Sequence, residues 1–297
     1  MWQRMAGGLM LMVAALVYAC APQPYHATPP PKEGTIQLIV RVDDVGLLHA
    51  TNAAALALMQ ESIATDFSVV VNTGWFPEIA RALAARHDVS LGVQLTLTSP
   101  WRHFRWGPVS TAPVAQLLRG PDGFFPPIFA ALQNHGSDSL AVITEFRAQI
   151  ERARRAGLTL TYLHFPQPRE AFPTWLTTIL ETLAREYRLG ITGYFDARPT
   201  PPIFGATAEA VEAALIDVMN GLTPGRWVLA AHAGDDSPEM LHAGLPDSMR
   251  TAYRKHVMHA LRSNVVAALC VERGIERVSY RDLLRRAGLL EKQITRK

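Results

Sequence analysis

With 297 residues, 48% hydrophobic and 19% charged, the chain is long enough for a substantial domain and too apolar to be disordered or fibrous. Its 29 basic and 26 acidic side chains leave a formal charge of +3, but they are intermixed, which argues against nucleic acid as a partner. Two cysteines, Cys20 and Cys270, exclude a disulfide scaffold and a four-thiolate zinc site, so any metal falls to carboxylate, imidazole and amide groups.

After Arg4, residues 5–19 carry no charge and are too few to span a bilayer comfortably, which predicts an export signal over residues 1–19. Its end, Val17-Tyr18-Ala19-Cys20, resembles the lipobox of bacterial lipoproteins. That resemblance implies lipidation of Cys20 and a membrane anchor, with ordinary signal-peptide cleavage or retention as alternatives. Residues 20–35 hold Pro22, Pro24, Pro29, Pro30 and Pro31 and read as a stiff tether. The expected location is outside the cytoplasm, as an envelope lipoprotein or a periplasmic or secreted protein, with Cys270 a core thiol.

From residue 36 to about 290, short β-branched runs alternate with helical spacing, the pattern of an α/β domain. Strands are predicted over 36–42, 67–72, 90–98, 158–164, 226–232 and 275–280, and helices over 51–62, 77–86, 140–150, 175–188, 207–219 and 281–287, before a basic tail at 291–297. Asp247 is expected to cap a helix running towards Cys270. Residues 99–136 interrupt the rhythm with prolines, glycines and aromatics and read as an insertion. Strands joined by helical crossovers are parallel. The units predict a closed or nearly closed barrel of about seven parallel strands, with an open doubly wound sheet as the other solution.

In either architecture the carboxyl ends of the strands share one rim, where sites are built. The first strand ends Arg41-Val42-Asp43-Asp44, and adjacent carboxylates need compensation. A cation held by one would leave the other to take a proton from bound water. A turn that caps the next helix is the plainer alternative. His164 and His232 each end a strand-like run, and His49 lies just past the first loop. Asp196 and Asp235 are the acids that a metal-free glycosidase would need beside Asp43. Trp101 and Trp106 have two possible roles, stacking on sugar faces or plugging the barrel mouth.

The ordered set D-D-V-G, S-V-V-V-N, W-F-P-E, L-G-V-Q-L-T-L-T, H-A-G and V-S-Y-R-D-L resembles the YdjC/ChbG-type carbohydrate deacetylases over most of residues 36–284. The resemblance implies an irregular (β/α) barrel that removes N-acetyl groups from amino sugars with a divalent metal. Mapped onto this chain, it makes Asp43 the general base, Asp44 a metal ligand and His232 the group that assists departure of the amine. Gln94 stands where the family places a ligand histidine, and a neutral amide is a poorer donor to zinc than imidazole. His164 is the next ligand in one alignment, whereas in the other Pro166 takes the ligand's place. The implied ligand set is therefore Asp44, His164 and Gln94, for zinc, magnesium or manganese. The alternative is a glycan-binding lipoprotein that holds an N-acetylated sugar without cleaving it.

Overall fold

The structure, a computed structural model, describes residues 28–130, 139–245 and 251–290. The expected export signal, Cys20, Asp247 and the basic tail lie outside the described residues. Among the described residues, no helix is long and apolar enough to cross a membrane.

The strands in chain order are β1 (Ile36–Val45), β2 (Asp66–Val69), β3 (Ser90–Gln94), β4 (Leu160–His164), β5 (Gly190–Ile191), β6 (Arg198–Pro199), β7 (Gly225–His232) and β8 (Ile275–Arg277). The helices are α1 (His49–Gln60), α2 (Phe76–Leu83), α3 (Ser139–Arg155), α4 (Thr174–Tyr187), α5 (Ala208–Gly221), α6 (Pro238–His242), α7 (Thr251–Leu261), α8 (Asn264–Glu272) and α9 (Tyr280–Arg286). The sheet order is β5-β4-β3-β2-β1-β7-β6, with β8 beside the start of β1, and every pairing is parallel. Seven parallel strands curl into a half-barrel. Among the described residues, no pairing joins β5 to β6, each two residues long, so the circuit of described strands stays open.

β1 is the axis of the sheet, and all ten of its residues are buried. Such burial needs cover on both faces, which the crossover helices supply. β1 pairs with β7 from Ile36 to Asp43, with β8 over Ile36 to Leu38, and with β2 from Arg41 onward. Inside the sheet, Gly92 of β3 has a steric reason to be glycine. A Cβ there would fall within the Tyr162 ring, which is fixed against Tyr280 at a centroid distance of 4.6 Å.

Several expected elements are shorter than their apolar runs. β3 stops at Gln94, because beyond it the Thr96 amide donates to Gln149 Oε1 of α3 rather than to a neighbouring strand. β8 stops at Arg277, because Ser279 and Asp282 form a capping box that starts α9. The helix expected to run towards Cys270 is broken at Ser263, whose Oγ accepts from the Val265 and Val266 amides and starts α8. Cys270 is a buried thiol 3.6 Å from Met219 Sδ.

Thr28 and Pro29, the first described residues of the segment expected to be a tether, bond to the domain. Arg226, at the start of β7, donates to Thr28 Oγ1 at 2.9 Å and to the Pro29 carbonyl at 2.7 Å. A cavity of about 520 Å³ between Pro29–Pro31 and Arg226 therefore lies at the amino ends of the strands, away from the rim where chemistry was expected.

The insertion packs inward. Trp101 is 2% exposed and Trp106 6% exposed, the two rings meet edge to face at 5.9 Å, and Phe104 closes the cluster. Glu145 of α3 holds the loop by accepting from the Val109 and Ser110 amides at 2.9 Å each. With both indoles inside the core, neither offers a face to a sugar. This corrects the stacking role considered for them: burial of their large apolar surface outweighs its display.

Candidate functional site

The parallel register brings the expected residues to one rim. Asp43 of β1 lies opposite His232 of β7, and Gln94 of β3 lies opposite His164 of β4. Asp43, Gln94, His164 and His232 line a cavity of about 510 Å³ together with Arg41 and Tyr280. Its outer wall includes Phe165, Pro166, Phe172, Pro199 and Pro201, so a polar floor is framed by apolar surface. That is the general form of a small-ligand site.

Residues two apart on a strand point to the same side, which sets Arg41 beside Asp43. The Arg41 guanidinium grips Asp43 with two parallel bonds, Nε to Oδ1 at 2.7 Å and Nη2 to Oδ2 at 2.8 Å. Burial pushes the Asp43 carboxyl up, but Arg41, aided by His164 and His232, outweighs it and holds the group well below the usual carboxylate range. His164 Nδ1 comes within 3.4 Å of Asp43 Oδ1 without hydrogen-bond alignment. Burial and the nearby Arg41 charge push the His164 imidazole down to about 3, against the pull of Asp43. It is a neutral ring at neutral pH.

Asp44 is held differently. It adopts a left-handed backbone, φ 65°, where non-glycine residues are uncommon and aspartate is among those that tolerate it best. Gln94 clamps it at two points: its Oε1 accepts from the Asp44 amide and its Nε2 donates to Oδ1, each at 2.9 Å. The second carboxylate oxygen, Oδ2, accepts from Arg254 Nη2 at 2.7 Å. Burial opposes ionisation of Asp44, and Arg254, with smaller help from His232 and Gln94, overcomes it. Gln94 thus braces a turn through both ends of its amide.

The remaining candidates lie elsewhere. His49 is exposed, with its Nδ1 2.7 Å from Glu78 Oε1 and its ring against Trp75. Asp235 Oδ1 accepts from the Ser237 amide beside α6, and Asp196 is exposed; neither lines the cavity. The sequence reading missed Arg41, whose signal was its place two residues before Asp43. It also missed Arg254 and Tyr280, which have no local signal because they join Asp44 and Arg41 across 210 and 239 residues.

The ligand set implied for a divalent ion does not fit this arrangement. Both Asp44 oxygens and both Asp43 oxygens are engaged by groups of the chain itself, and His164 faces Asp43 rather than Asp44. A fixed guanidinium on Asp44 would also repel a dication brought to that carboxylate. Among the described residues, no group of three His, Cys, Asp or Glu side chains could hold a metal ion.

The chain is thus an α/β protein whose parallel half-barrel carries an acid pair and two histidines at its carboxyl rim. Residues 37–272 match the YdjC-like protein family, and the chain belongs to it. Among curated relatives, a carbohydrate deacetylase of Brevibacillus brevis is 29% identical over 157 residues, 52% of this chain and 58% of that protein. A carbohydrate deacetylase of Thermus thermophilus is 33% identical over 152 residues, 51% of each. The matches thus span somewhat more than half the length of these relatives. In fold, the chain is similar to a putative cellobiose-phosphate cleavage protein of Enterococcus faecalis, with TM-score 0.68 and 18% identity, over 84% of this chain and 99% of that one.

Proposed function

We propose that this chain is a glycan-recognition member of its deacetylase-like family, which binds an N-acetylated sugar or a related acylated glycan at the strand-end cavity without divalent-ion hydrolysis. One observation carries the reading: all four oxygens of the acid pair are engaged from within the chain, by Arg41, Gln94 and Arg254. A carboxylate gripped by a guanidinium fork is a weak base, because the adjacent positive charge and its two hydrogen bonds favour the ionised form. The neutral His164 ring and His232 supply hydrogen-bonding groups for hydroxyl or acetamido substituents. Phe172 and the proline wall offer apolar surface to the C–H face of a pyranose.

Hydrolysis is the second reading, favoured by the pairing of Asp43 with His232 across the β1–β7 register at the cavity floor. In it, Asp43 takes a proton from attacking water and His232 protonates the departing amine. One pair of assays separates the readings: calorimetric titration with chito-oligosaccharides, and acetate release with and without a chelator. The expected result is binding indifferent to chelator and no acetate release. His232→Ala should weaken binding by on the order of 10-fold, the loss of about one good hydrogen bond. Acetate release, with or without the chelator, would overturn the recognition reading.

An exported, lipid-anchored location belongs to the same proposal, supported by the signal-like start and Cys20. In a bacterial host, the full chain should partition with membranes and its Cys20→Ser variant should move to the soluble fraction. Equal partitioning of the two would remove Cys20 as the anchor.

A further inference from the structure

Arg254 is an unusual neighbour for the acid pair. It comes from α7, is fully buried, and its guanidinium lies over the Trp101 ring at 5.4 Å from the centroid. Its only side-chain hydrogen bond among the described residues is the one to Asp44; Nε and Nη1 have no protein partner. The chain also makes room for it. At Gly234, in the H-A-G turn after β7, a Cβ would meet Met240 Cε at 2.7 Å and Arg254 Cβ at 3.4 Å. Burying a long cationic side chain for a single partner is costly, so its stabilising role is specifically to neutralise Asp44.

We infer that Arg254 is the built-in counter-cation of this site: a covalently held guanidinium that does for Asp44 what a bound divalent ion would otherwise do. The inference deepens the recognition reading, on which it rests for the nature of the ligand, and it concerns charge at Asp44 alone. A guanidinium carries one fixed positive charge, stays protonated and cannot be removed by a chelator. Asp44, which neighbours the cavity residue Asp43 in the chain, then stays compensated whatever ions surround the protein. Gln94 completes the device, because its two-point clamp holds Asp44 in the left-handed turn that presents Oδ2 to Arg254.

The test uses cobalt(II) as the probe ion and reads its stoichiometry by equilibrium dialysis, together with the shift of the thermal unfolding midpoint. Wild-type protein and Gln94→His are both expected to take up no stoichiometric cobalt, because the fixed Arg254 charge remains beside Asp44 in each. The double variant Gln94→His/Arg254→Gln keeps an amide donor for Asp44 but removes the charge. It should bind cobalt on the order of 10- to 100-fold more tightly than Gln94→His alone, the scale on which ligand surroundings tune metal affinity. Gln94→His/Arg254→Lys, which keeps the charge and loses the planar fork, should remain metal-free.

If the Arg254→Gln double variant is unfolded without the ion and recovers a folding transition with it, the inference stands; if it stays unfolded with cobalt present, the inference fails. Cobalt uptake by the wild type, or by Gln94→His as tightly as by the double variant, would overturn it. Chito-oligosaccharide titration of the wild type runs alongside, so loss of the glycan reading and loss of the counter-cation are scored separately.

Discussion

Arg41→Met should destabilise the protein by about 3–5 kcal/mol at neutral pH, the scale seen when one partner of a buried ion pair is removed. Both members are buried, and the two bonds at 2.7 and 2.8 Å are the ones Asp43 loses when the guanidinium is gone. The pH dependence has a definite sign. Asp43 has a depressed folded pKa, so its contribution is fully present above the ordinary aspartate pKa and is lost as pH falls through that value and below. The deficit of Arg41→Met should therefore be largest near neutrality and shrink in acid. Adding Asp43→Asn should recover much of the loss, since a neutral amide costs far less to bury than an uncompensated carboxylate. Urea unfolding across pH 3–8 measures all three variants, and a small deficit that does not change with pH would remove the ion pair from the account.

Asp66→Asn should have an effect of similar size and opposite sign. Asp66 opens β2, is fully buried, accepts from the Tyr280 amide at 3.1 Å and meets Thr65 Oγ1 at 2.8 Å. Burial pushes its carboxyl up from 3.8 to about 7, against those bonds. A raised folded pKa means that the native state binds the proton more tightly, so Asp66 favours folding fully below the unfolded pKa and loses that contribution as pH rises through about 7. At about 1.4 kcal/mol per unit, the loss amounts to roughly 4 kcal/mol by pH 8.5. An amide fits the same partners without ionising, since Thr65 Oγ1 can accept from it while donating to the Val40 carbonyl at 3.2 Å. The variant should thus match the wild type near pH 4 and exceed it in alkali. Parallel stability curves across that range would show that Asp66 titrates normally.

The two acids illustrate why the electrostatics of this fold are hard to read from spacing. Asp43 and Asp66 are both buried aspartates on neighbouring strands, yet one stays ionised in the folded protein and the other is driven towards neutrality. The difference is a guanidinium within hydrogen-bond reach of the first and only neutral donors at the second. No composition window or motif contains that information, because a charge's worth depends on distance and on exclusion from water.

Much of the architecture was legible because it is periodic. Apolar strand runs alternating with helical stripes gave the parallel α/β sheet, and crossover geometry then put Asp43, Gln94, His164 and His232 on one rim. Strands β5 and β6 were not legible, since two residues carry no period. The breaks at Gln94, Ser263 and Arg277 were decided by partners outside each segment or by caps that override an apolar run.

At the site itself, the sequence by itself determined which chemical groups reach the rim: an acid pair after β1 and polar residues at the ends of β3, β4 and β7. It also carried Arg41, two residues before Asp43, within the same strand. Only the tertiary structure decided what those groups do to one another. Arg254 reaches Asp44 from 210 residues away, Gln94 bonds both ends of its amide to a single residue, and Trp101 and Trp106 turn inward. The physical reason is that order along a chain fixes direction and register, whereas compensation of a buried charge depends on whichever side chain packing brings within about 3 Å.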